Sequence, residues 1–381
     1  MPVRSLRALV PLAGVYGAYF AATGVTLPFL PGYLQEEGLS PTEIGLLLAI
    51  QPAFGMFAPA FFCSWADRRS AHNRSLILAC VGAALGFSTL LLADGFATYA
   101  LAMAAYALFV TSIVPLIDSL TLEAVREAGA SYSHLRIFGS FGFVVASLSV
   151  GFFVPKLDRV VLLVPLLLMI GAAVFATFIR TRIARPTIPD AISPRLSAGL
   201  FYLLAASALH WIACAPFHGS LALYVRALEL PTWVVGGAAG LGVAAEIVVM
   251  TAYPRTLQRL SERAVLGLAF AGSALRWLGM SVATSALAIV GLSLLHGLTF
   301  GAFYIAALSF LARTIPPERR ARGQGLFGAV TFGAGGLIGY AVSGVGFDAL
   351  GGPGLFAVAA GAEVVAALIV LRIPTLEMGR A

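Results

Sequence analysis

Apolar runs long enough to cross a bilayer follow one another along almost the whole of this 381-residue chain, and they fix its solvent before any question of chemistry arises. A helix needs about 20 predominantly apolar residues to span the hydrocarbon core. Twelve such runs fall near residues 8–33, 43–65, 74–93, 96–122, 134–154, 160–180, 197–225, 232–252, 264–284, 286–312, 323–345 and 354–372. Each is expected to be helical, because in lipid only helices and closed barrels satisfy every backbone N–H and C=O. Charged residues make up 11% of the chain, against about 25% in ordinary soluble domains, which argues against a water-facing enzyme. The sequence therefore predicts an all-α membrane protein with twelve transmembrane helices.

A net charge of +7 does not mark a nucleic-acid partner here, because the positive residues are dealt out to alternate connections between the runs. Those connections hold Arg68, Arg69 and Arg74, then Arg126, then Arg180, Arg182, Arg185 and Arg195, then Arg255, Arg259 and Arg263, then Arg313, Arg319, Arg320 and Arg322. With Arg4, Arg7, Arg372 and Arg380 they account for 19 of the 24 positive residues. The intervening connections carry only Lys156, Arg159 and Arg226, against Glu36, Glu37, Glu43, Asp94, Asp158, Glu229 and Asp348. The positive-inside rule then puts the arginine-rich side and both termini in the cytoplasm. The first run is long enough to be read as a retained helix and not a cleaved leader.

The longest break lies between the sixth and seventh runs, where four arginines mix with Pro186, Pro189 and Pro194. It divides the chain into a bundle over 1–180, a cytoplasmic linker over 181–196 and a second bundle over 197–381, a pattern that puts a transport site at the interface. Glycines four apart (Gly82 and Gly86, Gly236 and Gly240, Gly297 and Gly301, Gly335 and Gly339) are read as close-packing helix faces or as sliding surfaces. Cys63, Cys80 and Cys214 have no metal or redox spacing, so neither metal nor cofactor is expected.

A charge within a span costs at least about 2.5 kcal/mol, so each one asks for a partner or a task. Asp118 in the fourth span and Arg136 in the fifth are expected to meet across antiparallel helices, as a static tie or as a hook for a solute. Pro115 is placed to break the fourth helix near them. Glu246, Arg276 and His296 come from the middle of three successive spans and form either a proton-loading group or a stable buried triad. Phe143, Trp277 and Phe300 either supply flat walls for a ring-bearing solute or belong to ordinary core packing. Glu363 has no evident partner and is assigned to packing or a hydrogen bond within the protein; His210 and His218 are left without a role.

Several of these stretches resemble the major facilitator superfamily. Trp65-Ala66-Asp67-Arg68-Arg69 followed by Arg74 is similar to its cytoplasmic acidic-basic motif between helices two and three, with Cys63 where the motif's leading glycine stands. Leu135-Arg136-Ile137-Phe138-Gly139-Ser140-Phe141-Gly142 resembles the start of helix five in the lactose permease and phenylpropionate permease group, with an acidic partner upstream at Asp118. Arg276 and His296, twenty residues apart, match that group's helices nine and ten. Thr299 stands where lactose permease has a proton-carrying glutamate, and Phe143 where it has a sugar-stacking tryptophan. Val114-Pro115-Leu116-Ile117-Asp118 and Leu295-His296-Gly297-Leu298-Thr299-Phe300 are closer to the phenylpropionate branch.

The resemblance implies two pseudo-symmetric six-helix bundles in a bacterial inner membrane, working as a monomer without cofactor. It implies a proton-coupled symporter for a small organic solute, an aromatic carboxylate such as a phenylpropionate. Asp118, Arg136, Phe143, Trp277 and Phe300 would hold the solute, Glu246, Arg276 and His296 would handle the proton, and Asp67, Arg68 and Arg74 would steady one conformation. A sugar or nucleoside symporter is the alternative substrate class, and a membrane sensor that kept the fold without transport is the alternative of another class.

Overall fold

The computed structural model describes residues 3–181, 183 and 197–374. The expected linker falls almost wholly outside them, with Arg182, Arg185, Arg195, Pro186, Pro189 and Pro194; so does Arg380.

Helices of spanning length run over Leu9–Glu36, Pro41–Arg69, His72–Leu92, Phe96–Ala128, Tyr132–Phe153, Val160–Thr177, Ala198–Ala227, Trp233–Thr256, Glu262–Val282, Ala286–Thr314 and Arg322–Val370. The last makes two crossings, 322–350 and 352–370, because Gly351 takes a left-handed φ of 65° and is followed by Gly352 and Pro353. Twelve spans result, numbered below in chain order. Their outer faces keep large apolar side chains uncovered, Leu92 at 87% and Leu287 at 80%, as lipid permits and water would not.

Proline places the interruptions. Pro59 has no N–H for the carbonyl of Gly55, and the second span breaks at Met56 and Phe57. Pro115 likewise cannot donate to Thr111, and the fourth span breaks at Thr111 and Ser112, nearly two turns before Asp118. The tenth and eleventh spans each contain a wider π-helical stretch, Gly297–Ala302 and Ala329–Ala334, the first of them directly after His296.

The first span packs on the fifth and sixth, and the seventh packs on the eleventh and twelfth. Between the two sets of six, the second span meets the eleventh and the fifth meets the eighth. Both of these contacts rest on glycine. A Cβ on Gly236 would stand 2.4 Å from the Ser147 carbonyl oxygen, and one on Gly344 would stand 2.4 Å from that of Pro41. Gly236 and Gly240 thus lie between the sets, whereas Gly82 with Gly86, Gly297 with Gly301 and Gly335 with Gly339 pack within them.

Among the described residues, a series of ties between the sets lies from the bilayer centre toward the arginine-poor end. Arg226 pairs with Glu36 at 2.9 Å, the Thr42 N–H donates to Asp348 at 2.9 Å and its hydroxyl donates to the same oxygen, Thr232 donates to the Pro155 carbonyl at 3.1 Å, and Phe152 stacks on Trp233. At the arginine-rich end two ion pairs lie within a single set. There His72 lies 2.9 Å from Asp67, and Arg313 donates to Glu262 at 2.8 Å. One apolar core crosses between the sets at the arginine-poor end, joining Phe29 and Leu30 to Tyr224 and Val234; a second, around Phe270 and Phe303, belongs to the last six spans alone. The molecule is therefore closed at one end and parted at the other.

Candidate functional site

A cavity of about 160 Å³ lies between the two sets. Leu27 and Pro28 of the first span and Phe143 of the fifth line one side. The other side is Trp211, Phe217, His218 and Leu221 of the seventh span, Ala239 and Val243 of the eighth, and His296 and Phe300 of the tenth. Trp211 and His218 lie seven residues apart, so two helical turns set them on one face. That spacing was visible in the sequence, and it was the missed signal for a wall that the seventh span dominates.

Nearer the arginine-rich end, the first six spans carry a polar cluster. Tyr16 and Phe20, one turn apart on the first span, both face Arg136, whose guanidinium carbon is 4.0 Å from the Phe20 ring centre and 5.6 Å from that of Tyr16. Asp118 accepts hydrogen bonds from the hydroxyls of Tyr16 and Tyr132, the latter at 2.9 Å. The expected direct pairing of Asp118 with Arg136 is thereby corrected: two tyrosines hold the carboxylate, and aromatic rings hold the cation. Among the described residues no carboxylate oxygen comes within 4.0 Å of Arg136. Glu246 lies on the eighth span, which packs against the fifth span that carries Arg136.

The last six spans bury their polar groups. Arg276 is 1% exposed and sandwiched between Phe217, at 4.2 Å, and Trp277, at 4.5 Å. Its Nη1 donates to His296 Nδ1 and to Thr299 Oγ1, both at 3.3 Å. Guanidinium only donates, so Nδ1 of His296 is the acceptor and the ring proton resides on Nε2. That nitrogen lies 3.7 Å from Glu246 Oε2. The structure thus lines up Arg276, His296 and Glu246 in that order, with His296 stacked on Phe300 and Phe300 on Tyr304.

Trp277 is placed differently from the expected solute wall. It is fully buried behind Phe217, and its indole N–H donates to Glu363 at 3.2 Å. Glu363 is not partnerless either, since His210 Nδ1 lies 2.8 Å from one of its oxygens. No rule of spacing joins residues 210 and 363, so this pair was invisible in the sequence. In the connection after the second span, Asp67 contacts His72 at the start of the next helix, and Arg68 and Arg74 are exposed.

Residues 9–358 match the model of the MFS_1 like family. The chain is 30% identical over 341 residues to the probable 3-phenylpropionic acid transporter of Escherichia coli (strain K12), covering 84% of this chain and 86% of that protein. It is 28% identical over 329 residues to the maltose permease of Geobacillus stearothermophilus, covering 84% and 83%. The crystal structure of the nucleoside transporter NupG superposes with a TM-score of 0.78 at 17% identity, over 96% of this chain and 98% of that one, which is a likeness of fold.

Proposed function

The chain belongs to the MFS_1 like family of the major facilitator superfamily, a family of multi-pass membrane transporters, and from that premise we propose that it is a proton-coupled symporter importing a small aromatic carboxylate. One observation carries the substrate class: an apolar, aromatic-walled cavity about two helical turns from an arginine that, among the described residues, has no carboxylate oxygen within 4.0 Å. An apolar cavity of roughly 150 Å³ accommodates benzene, so the space between Phe143, Trp211, Phe217 and Phe300 suits one aromatic ring. Arg136 offers the planar fork that a carboxylate accepts in two parallel hydrogen bonds. Two turns, about 10 Å along the helix, separate Phe143 from Arg136, a span suited to a ring with a short acidic tail. The name of the E. coli relative points the same way.

Coupling follows from charge balance. While Arg136 is unoccupied, Glu246 on the adjoining eighth span serves as its counter-charge. An anionic solute on Arg136 takes over that part, and a site this far from water stays neutral only if Glu246 gains a proton. His296, oriented by Arg276, presents its Nε2–H toward Glu246 and sets the geometry of that exchange. Solute and proton are then bound together and released together. An anion carried with one proton moves no net charge and is driven by the pH difference; a second proton would add about 2.3 kcal/mol per 100 mV.

With the arginine-rich side and both termini in the cytoplasm of a bacterial inner membrane, the parting of the two sets faces inward. Residues 1–180 and 197–381 are read as the two bundles that rock about the site, joined by the 181–196 linker. Titration of purified protein with 3-phenylpropionate, followed by thermal stability, tests the substrate class. Stabilisation by the acid, with little by its neutral amide, maltose or a nucleoside, is the expected result. Stabilisation by maltose or a nucleoside and none by the acid would overturn it.

A further inference from the structure

Behind the cavity wall, the seventh, ninth and twelfth spans enclose a polar cluster that the cavity does not reach. His210 and Glu363 are both fully buried, and His210 Nδ1 lies 2.8 and 2.9 Å from the two carboxylate oxygens. The Trp277 indole N–H donates to one of those oxygens at 3.2 Å, and the Cys214 sulfur lies 4.0 Å from it. The His210 ring is packed against Phe270 and Phe303, and its Nε2 has only the Cys214 sulfur at 3.7 Å. No oxygen is there to accept a second N–H, so these surroundings accommodate a neutral ring that donates through Nδ1 to an ionised Glu363.

Arg276, next to Trp277 in sequence, carries a permanent positive charge at 1% exposure. It spends Nη1 on two neutral groups, His296 and Thr299, and its Nε and Nη2 have no hydrogen-bond partner. Either charge alone is costly in the membrane interior; separated by one indole, the two offset each other. The same His210, Cys214 and Glu363 carry the atom types of a metal site. Their nitrogen-to-oxygen separations are hydrogen-bond lengths, which leave no room for an ion between them.

We infer that Glu363 is the counter-ion of Arg276 and a positioning residue for proton coupling: held by His210 and Trp277, its charge keeps Arg276 against His296 and leaves Glu246 free to take up and release the proton. The inference rests on the symport reading above. If Glu363 loses its charge, the carboxylate next in line to Arg276, through His296, is Glu246. Glu246 must then stay ionised, and transport runs without the proton.

Two measurements on the full-length protein decide this. In proteoliposomes with labelled 3-phenylpropionate, Glu363→Gln is expected to lower accumulation under an imposed pH gradient by about tenfold or more, while solute exchange without a gradient stays within about threefold of wild type. Glu363→Asp is expected to recover part of the accumulation. In detergent, the double variant Glu363→Gln/Arg276→Gln is expected to be more thermostable than Glu363→Gln alone, because no cation is left stranded. Wild-type accumulation by Glu363→Gln, thermal losses that simply add in the double variant, or stoichiometric zinc in the purified protein would overturn the inference. If Glu363→Gln does not fold, the aspartate and double variants carry the test. Failure of the wild type itself to accumulate solute would instead sink the symport reading, and the stability comparison would still decide the counter-ion.

Discussion

Arg136, near the start of the fifth span, and Arg276, within the ninth, have opposite surroundings. Arg136 is half-buried, lies over Phe20 and Tyr16, and faces a gap that parts toward the arginine-rich end. Arg276 is sealed between Phe217 and Trp277 and touches only protein. A guanidinium with spare donors and access to the gap can take a ligand. One shut behind a ring can only bias the groups beside it. On the proposed reading, the contrast gives the carboxylate-binding cation to the first six spans and charge control, with most of the ring-site wall, to the last six.

The largest effect that would break this contrast is expected at Arg136. Arg136→Gln should weaken 3-phenylpropionate binding by about 100-fold, as expected for losing hydrogen bonds from a cation to a carboxylate at roughly 1.5–3 kcal/mol each. Arg276→Gln should leave the Kd within about threefold, because that side chain does not reach the cavity. Calorimetric titration of both variants checks the pair, and equal losses would erase the distinction.

A smaller effect sharpens it. Phe143→Ala removes one face of the ring site without touching a charge, and a loss of about 3- to 10-fold in affinity is expected from aromatic contact worth roughly 0.5–1.5 kcal/mol. The loss should appear with the neutral amide of the solute as well as with the acid, whereas the Arg136 effect should appear with the acid alone. Competition binding with the two compounds separates them.

The smallest effect concerns the closed end. Glu36 and Arg226 are both about half exposed, so their ion pair is worth no more than about 1 kcal/mol. Arg226→Gln should therefore shift the balance toward the outward-open form by at most about fivefold. Distance distributions between spin labels on the arginine-poor connections would register the shift. The glycine contacts at Gly236 and Gly344 hold that end more firmly, since they bring backbones together over whole turns.

Much of this was legible from the chain. Apolar length gave the spans. Mid-span charge singled out Glu246, Arg276 and His296, which the fold lines up because the eighth and ninth spans both pack on the tenth. What escaped has physical reasons. Asp118 and Arg136 sit on neighbouring helices as spacing predicts, yet Tyr16 and Tyr132 intercept the carboxylate, and an uncharged tyrosine carries no flag in an apolar run. The Trp277 ring lies against the Arg276 guanidinium, on the far side from Phe217, and its indole N–H reaches into the cluster of Glu363 and His210. The aromatic wall of the seventh span passed as ordinary core, because composition alone does not separate a ring that lines a cavity from one that fills a gap.

The central claim is that solute on Arg136 and proton on Glu246 travel together. De-energised proteoliposomes in weakly buffered medium test it directly, with the external pH recorded as 3-phenylpropionate is added and protein-free liposomes as the control. The account predicts an alkaline shift above the control for the wild type and its absence for Glu246→Gln, although that variant still exchanges solute. Entry of solute with no shift, or the same shift in both proteins, would contradict it.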